Sequence, residues 1–246
     1  SVASYRALAW SAFKKHSLPV TTEEAWRRTD IHNLPVEKFK FAADGAFNDL
    51  PPVREDLLKP LTADQHGGQI VLTPGGVKVE LDEKLAKQGV IFTDLKTAEQ
   101  KHPELLARMI GKTVNVEEGK FSALAGAFAQ NGVVLYVPKG VIVEEPLHSV
   151  LWGPGANIAH VSHILVLVDE GAAGTYVHES ASPDDPQGGA HSMHAGIVEI
   201  QVLQSASMKF VELQSWGRHV WNFSHERARV ERSGNLDWIF GAIGSR

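Results

Sequence analysis

No cysteine occurs anywhere in the 246 residues. Disulfides, thiolate metal ligands and a thiol nucleophile are therefore excluded within this chain, and cysteine usage says nothing about its compartment. A targeting or membrane segment is missing as well. No charged stretch followed by an apolar one opens the sequence, and the longest aliphatic run, Ile164-Leu165-Val166-Leu167-Val168, is far too short for a bilayer span. The expectation is a cytoplasmic protein with no membrane partner. Positive charge is not in surplus either: 24 basic against 29 acidic residues leave a net charge of −5, and no basic cluster is interleaved with aromatics. Nothing here neutralises a phosphate backbone, so nucleic acid is not an expected partner. With 43% hydrophobic and 22% charged residues, the composition is that of a globular protein with a proper core, in one large domain or two smaller ones.

What the chain does have is a repeat. Gly140, Gly171, Ser205 and Ser233 are spaced by 31, 34 and 28 residues, and each follows a valine three residues upstream: Val137, Val168, Val202 and Val230. Short apolar runs follow the last three anchors, Gly174-Thr175-Tyr176-Val177, Met208-Lys209-Phe210-Val211 and Leu236-Asp237-Trp238-Ile239. Strand-like segments repeating at this period predict a solenoid in which each repeat is one coil stacked on the last. A shift of 34 sets Ile164, Val166 and Val168 over Val198, Ile200 and Val202 on one face, and a shift of 28 brings Val202 onto Val230. On the opposite face the same shift predicts exposed ladder pairs, Glu199 with Arg227 and Gln201 with Arg229, that specify register. Residues 182–189, rich in proline and glycine, read as a loop extruded from the long repeat, with Asp184-Asp185 solvating it.

The N-terminal part reads differently. Tyr5, Leu8, Ala9, Ala12 and Phe13 predict a helix over 4–16, and Thr21 with Glu24 suggests a capping box opening a short second helix. Residues 39–61 are broken by Gly45, Pro51, Pro52 and Pro60, residues 70–81 read as a hairpin across Pro74-Gly75-Gly76, and 82–88 and 93–109 as helices. The character changes near Phe121. The fold class expected is mainly β with an α-rich N-terminal part: an α-rich region with a small hairpin over 1–120, and an incomplete right-handed parallel β-helix over 121–246.

Twelve histidines invite a metal hypothesis. The register stacks His160 with His194 and His191 with His219, and these four are the candidate ligands for iron, zinc or copper if three nitrogens converge at about 2.1 Å from one point. Coils about 4.8 Å apart and the alternation of strand faces favour an ordinary polar ladder instead. Gly111-Lys112-Thr113 looks like the end of a phosphate-binding loop, but Leu106 holds the position where that loop needs a glycine, so Gly111 reads as a helix terminator. Glu144-Glu145 and Asp184-Asp185 are adjacent in strand or loop and do not form two-carboxylate sites. Trp216, Trp221 and Trp238 could stack sugars or bases, although Trp238 takes the slot of Tyr176 and Phe210 and reads as core.

Three segments carry a resemblance: Glu23-Glu24-Ala25-Trp26-Arg27-Arg28-Thr29-Asp30, the run 131–146 from Asn131 to Pro146, and Trp221-Asn222-Phe223-Ser224-His225-Glu226-Arg227-Ala228. With them the chain resembles the SufB/SufD family of iron–sulfur cluster assembly proteins, and its short N-terminal helices with the tryptophan motif resemble SufD more than SufB. The resemblance implies a non-catalytic scaffold subunit pairing with a SufB-like subunit and a SufC-like ATPase. It also implies that an iron–sulfur cluster or a flavin enters only in the assembled complex, with no cofactor bound by this portion. Family proteins run on through further coils and a region that docks on SufC, so the chain is expected to be a portion truncated before it, and no catalytic or cofactor-binding residue is carried over. An open solenoid end near 235–243 suggests self-association with a second copy. The alternative is a β-helix enzyme processing polysaccharide, for which Glu199, Arg227 and Arg229 are the candidates.

Overall fold

A computed structural model describes residues 1–41, 52–59, 66–74, 76–129, 131–183 and 188–244. The helices are α1 (Val2–Lys15), α2 (Glu55–Leu58), α3 (Glu83–Lys87), α4 (Leu95–Lys101), α5 (Pro103–Met109) and α6 (Lys120–Phe128). The strands are β1 (Lys40–Phe41), β2 (Gly68–Thr73), β3 (Gly76–Leu81), β4 (Ile91–Asp94), β5 (Asn131–Val137), β6 (Leu147–Trp152), β7 (Ile158–Val168), β8 (Ala173–Ala181), β9 (Ser192–Val202), β10 (Ser207–Ser215), β11 (Val220–Val230) and β12 (Asn235–Gly244). From β5 onward, odd strands stack in parallel as one sheet and even strands as the other, giving a right-handed parallel β-solenoid of about four turns.

The register agrees residue by residue with the repeat. Ile164, Val166 and Val168 lie over Val198, Ile200 and Val202, and Val202 over Val230. The anchors prove to be the corners where the chain leaves one sheet for the other. Gly140, Gly171, Ser205 and Ser233 all adopt positive φ, at 71°, 66°, 58° and 57°. The amides of Gly140, Gly171 and Ser205 donate to the carbonyls of Glu170, Gln204 and Arg232 one coil on, so the corners themselves form a ladder. A left-handed corner costs an L-residue about 1–2 kcal/mol and glycine almost nothing. Ser205→Gly and Ser233→Gly are therefore expected to raise stability by about 0.5–1 kcal/mol each, and Gly171→Ala, whose added Cβ meets nothing within 4 Å, to lower it by about 1 kcal/mol. Urea unfolding of the three variants checks this, and a Gly171→Ala protein as stable as the parent would remove the argument.

Valines, isoleucines and one aromatic column fill the space between the sheets. Tyr176, Phe210 and Trp238 share one register position, with ring centroids 5.4 and 5.3 Å apart, which bears out the core reading of Trp238. Burying each such side chain stabilises the fold by about 1.5–3 kcal/mol. The N-terminal part closes one end. β4 pairs antiparallel with β5, β2 pairs parallel with β6, and β3 folds back on β2 as the expected hairpin, so the first coil has no bare edge in either sheet. Helices α1, α4, α5 and α6 lie on the outer face of the odd-strand sheet, where Leu95, Leu106 and Met109 pack on Val134, Val161, Leu165 and Ile197, whereas Leu57 of α2 packs on Val150, Trp152 and Ala181 of the even-strand sheet.

Three local expectations change. The helix expected over 93–109 is β4 followed by α4 and α5, because Pro103 has no N–H to continue a helix and Asp94 caps α4 by accepting from the Thr97 amide at 2.9 Å. The capping box at Thr21 is not formed; a 3₁₀ turn spans Glu24–Trp26, and the Glu23 carboxylate accepts from the Val20 amide. The change of character near Phe121 falls inside α6, with the first coil starting at Asn131. Asp184-Asp185 and the middle of the 182–189 loop lie outside the described residues.

Candidate functional site

Two groups of polar side chains stand out, one under the helices and one inside the solenoid. Outside, Glu199 sits on β9 and is 1% exposed. It does not meet Arg227. Its Oε1 accepts from the Gly111 amide at 2.7 Å and lies 2.9 Å from His163 Nε2. Its Oε2 accepts from the Thr113 amide at 2.7 Å, the Val114 amide at 3.1 Å and the Thr113 hydroxyl at 3.1 Å. Gly111, at φ 66°, ends α5 and turns these amides toward one point. The loop set aside as a nucleotide site thus does cradle an anion, and the anion is the protein's own carboxylate. Burial raises the Glu199 carboxyl, but the bond and charge of His163 and the amides of Thr113 and Gly111 outweigh it and hold the group below its usual range.

The expected ladder on that face is corrected accordingly. Register places Glu199 beside Arg227 and Gln201 beside Arg229, but helices cover the sheet there. Arg227 turns to Glu118 at 2.8 Å, Gln201 donates to the carbonyls of Arg108 and Met109, and Arg229 lies 3.6 Å from Glu231. A polysaccharide groove built on Glu199, Arg227 and Arg229 loses its carboxylate to this cradle.

Inside the solenoid the apolar filling gives way to a polar network. His178 lies between Ser149 at 2.7 Å and Ser180 at 3.1 Å, and Ser149 reaches the Tyr176 hydroxyl at 2.6 Å. His194 lies 2.8 Å from Ser162 and 2.7 Å from Asn222; the Asn222 amide donates to Gln214, and Gln214 to Glu212, both at 2.9 Å. Glu212, from the even-strand sheet, keeps its Oε2 buried without a hydrogen-bond partner and lies within reach of the charge of Glu226 from the odd-strand sheet. Desolvation and the neighbouring Glu226 charge push Glu212 up to about 8, and burial raises Glu226 as well. Desolvation, with the neighbouring His194 for the first two, lowers His160 and His178 to about 3, and desolvation lowers His194 to about 4; all three are neutral imidazoles at neutral pH.

The four histidine candidates are placed plainly. His160 and His194 share a register position as expected, with their rings edge to face at 6.0 Å, but His160 keeps both ring nitrogens buried without a partner. His191 precedes β9 and accepts from the Trp221 indole at 3.3 Å, and the His219 carbonyl accepts from the Ser192 amide. Among the described residues no three His, Asp or Glu side chains converge on a point that could hold a metal ion. The network that sequence reasoning missed includes Glu212, Gln214 and Glu226; Glu212 and Gln214 continue the polar positions of His178 and Ser180 one coil on, and Glu226 takes the position of Val198.

A cleft of about 770 Å³ lies between the N-terminal segment and β11. Trp26, Thr29 and Asp30 form one wall, and Trp221, Phe223, His225 and Arg227 the other. Phe121 and Phe223 stack at 3.7 Å, and Trp26 leans on both at 5.7 and 6.2 Å. Two segments separated by most of the chain thus meet in one place, and they are two of the three segments that carried the resemblance. The family model described as SufBD protein N-terminal region matches residues 1–148, and that of the SUF system FeS cluster assembly SufBD core domain matches residues 151–246. The chain belongs to the SufBD family. It is similar to iron-sulfur cluster assembly SufBD family proteins of Staphylococcus aureus (strain USA300), Staphylococcus haemolyticus (strain JCSC1435) and Staphylococcus epidermidis (strain ATCC 35984). Each is 30% identical over 166 residues, which cover 68% of this chain and 35% of the relative. The chain spans about a third of the length of the curated relatives it matches. In this SufBD chain no described helix is long and apolar enough to cross a membrane.

Proposed function

We propose that this chain is part of a SufD-like scaffold subunit that is non-catalytic alone and pairs with a SufB-like subunit and a SufC-like ATPase in iron–sulfur cluster assembly. The observation that carries the reading is a SufBD-family solenoid in which Glu199, His163 and His194 are committed to internal hydrogen bonds and no metal-binding cluster forms among the described residues, in a stretch without a single cysteine. A subunit that received sulfur or iron through these residues would need a thiolate or a converging ligand set. The resemblance of the tryptophan motif supports the SufD side, and Trp26 fastens the N-terminal segment to Phe121 of α6 and Phe223 of the solenoid. Cluster and flavin then belong to the assembled complex, with the cluster as its product.

Co-expression with SufB-like and SufC-like proteins of the same source, followed by affinity purification of the parent protein, tests this. A stable ternary complex is the expected result. A parent protein that purifies alone under the same conditions would overturn the reading. Self-association is a separate arm: β12 is hydrogen-bonded only to β10 among the described residues and exposes Phe240 and Ile243. Sedimentation at rising concentration is expected to show a dimer, and a monomer throughout removes that part.

A further inference from the structure

On the helical side of the molecule lies a second depression, remote in character from the polar network. It has a volume of about 390 Å³ and an apolar lining that includes Phe13, Leu34, Val36, Phe39 and Phe121, with Lys120 in its wall. Large apolar side chains stand exposed at its rim: Leu18 at 39%, Val36 at 46% and Phe41 at 50%. Contiguous exposed apolar surface of this kind marks an interaction site more often than it marks chance.

The charge around it sets it apart from the rest of the chain. The segments that line it, 13–18, 34–41 and 120–124, carry five lysines, Lys14, Lys15, Lys38, Lys40 and Lys120, against one carboxylate, Glu37. The whole chain has a net charge of −5. None of the five makes an ion pair among the described residues. Lys120 donates to the Phe13 carbonyl at 2.7 Å and lies 3.6 Å over the Phe13 ring, which leaves ammonium protons free at the edge of an apolar space. Such an ammonium is stabilised by an anion brought to it.

An apolar hollow with Lys120 in its wall, and with Lys14, Lys38 and Lys40 next along the chain to its lining residues Phe13, Phe39 and Phe41, fits some occupants better than others. A single-headed amphiphile would fill the hollow and engage one lysine, leaving Lys14, Lys15, Lys38 and Lys40 unmatched. A bilayer surface is too flat to enter a concave site. A polypeptide can do both. We propose that this depression docks a segment of a partner polypeptide in which an aromatic or branched apolar anchor enters the hollow and flanking Asp or Glu side chains meet the lysines. The proposal stands whether or not the Suf partners are those named above.

The test is to pan a random peptide library against the full chain and to measure the enriched peptides by fluorescence anisotropy. The expected result is enrichment of sequences with an apolar anchor flanked by carboxylates. Their affinity should fall at least about tenfold for Val36→Asp, an exposed rim position, and again for the Lys38→Glu/Lys40→Glu pair, with melting curves unchanged. Added salt should weaken them further. No enrichment, enrichment without carboxylates, or binding indifferent to these variants would each overturn the proposal. So would tighter binding to phosphatidylserine vesicles, or to decanoate, that is lost in the same variants.

Discussion

Replacing Glu199 with alanine is expected to destabilise the protein by about 3–5 kcal/mol and to lower its melting temperature by about 10 °C or more. The reason is the number of groups that one carboxylate satisfies. Gly111, Thr113 and Val114 each present an amide to it, and Thr113 adds its hydroxyl. Removing the acceptor strands these donors between helix and sheet, where water has little access, and leaves His163 without its partner. Glu199→Gln keeps the shape and half the accepting capacity, so it should fall between parent and alanine. The pH dependence has a definite sign. Because the folded carboxyl is held below its unfolded value, its contribution is present above about pH 4.3 and is lost as the pH falls through the folded value. Denaturant unfolding followed by circular dichroism measures both effects. A loss under about 1 kcal/mol would mean that solvent replaces the carboxylate freely, and the cradle would not be what holds the helices to the solenoid.

The second large effect comes from the carboxyl pair inside the solenoid, and it runs the other way. Glu212 is held protonated by burial and by Glu226, with its folded value pushed up to about 8. A carboxyl raised on folding contributes stability that is complete below its unfolded value, about 4.3, and that is gone once the pH passes the folded value. The parent protein should therefore lose stability as the pH rises toward 8. Glu212→Gln, which keeps the hydrogen bonds without the charge, should remove that loss and exceed the parent by roughly 2 kcal/mol at about pH 9. On the acid side the neutral imidazoles of His160, His178 and His194 act in the opposite direction, because the unfolded chain takes up their protons below about pH 6.5 and the folded one resists. Melting temperatures across the pH range decide the matter. A parent and a Glu212→Gln protein with parallel curves would show that folding does not raise the Glu212 carboxyl.

Legibility differed between layers of the fold. The coils were readable because stacking imposes a local rule: the same side-chain chemistry must return once per turn, and Val137, Val168, Val202 and Val230 do so three residues before each corner. The corners were readable for the same reason, although the sequence showed only small residues there and not their left-handed backbone. The hairpin over 70–81 and the first helix followed from turn chemistry and helical spacing. The failures have a common cause. β4 is four residues long and half apolar, too short for any periodicity to declare it, and its pairing partner β5 lies far along the chain. The ladder pair of Glu199 and Arg227 had the right register and the wrong environment, because alternation tells which residues share a face and cannot tell what covers that face.

The candidate site shows the division most clearly. His160 over His194 was legible from the repeat and His191 with His219 likewise, but whether imidazoles converge depends on how each ring turns and what it bonds, which no period contains. Glu212 and Glu226 come from different strands on opposite sheets, and only closure of the coil brings them together. By itself, then, the sequence determined the parallel solenoid, its register, its corners and the family motifs, since each of these is written at short range or at a fixed repeat. The tertiary structure alone decided that the outer face of the odd-strand sheet is buried, that Gly111 and Glu199, 88 residues apart, form an anion cradle, and that Glu212 is buried near the charge of Glu226 inside the solenoid. Those outcomes rest on burial and on encounters between distant segments, and burial is a property of the assembled fold.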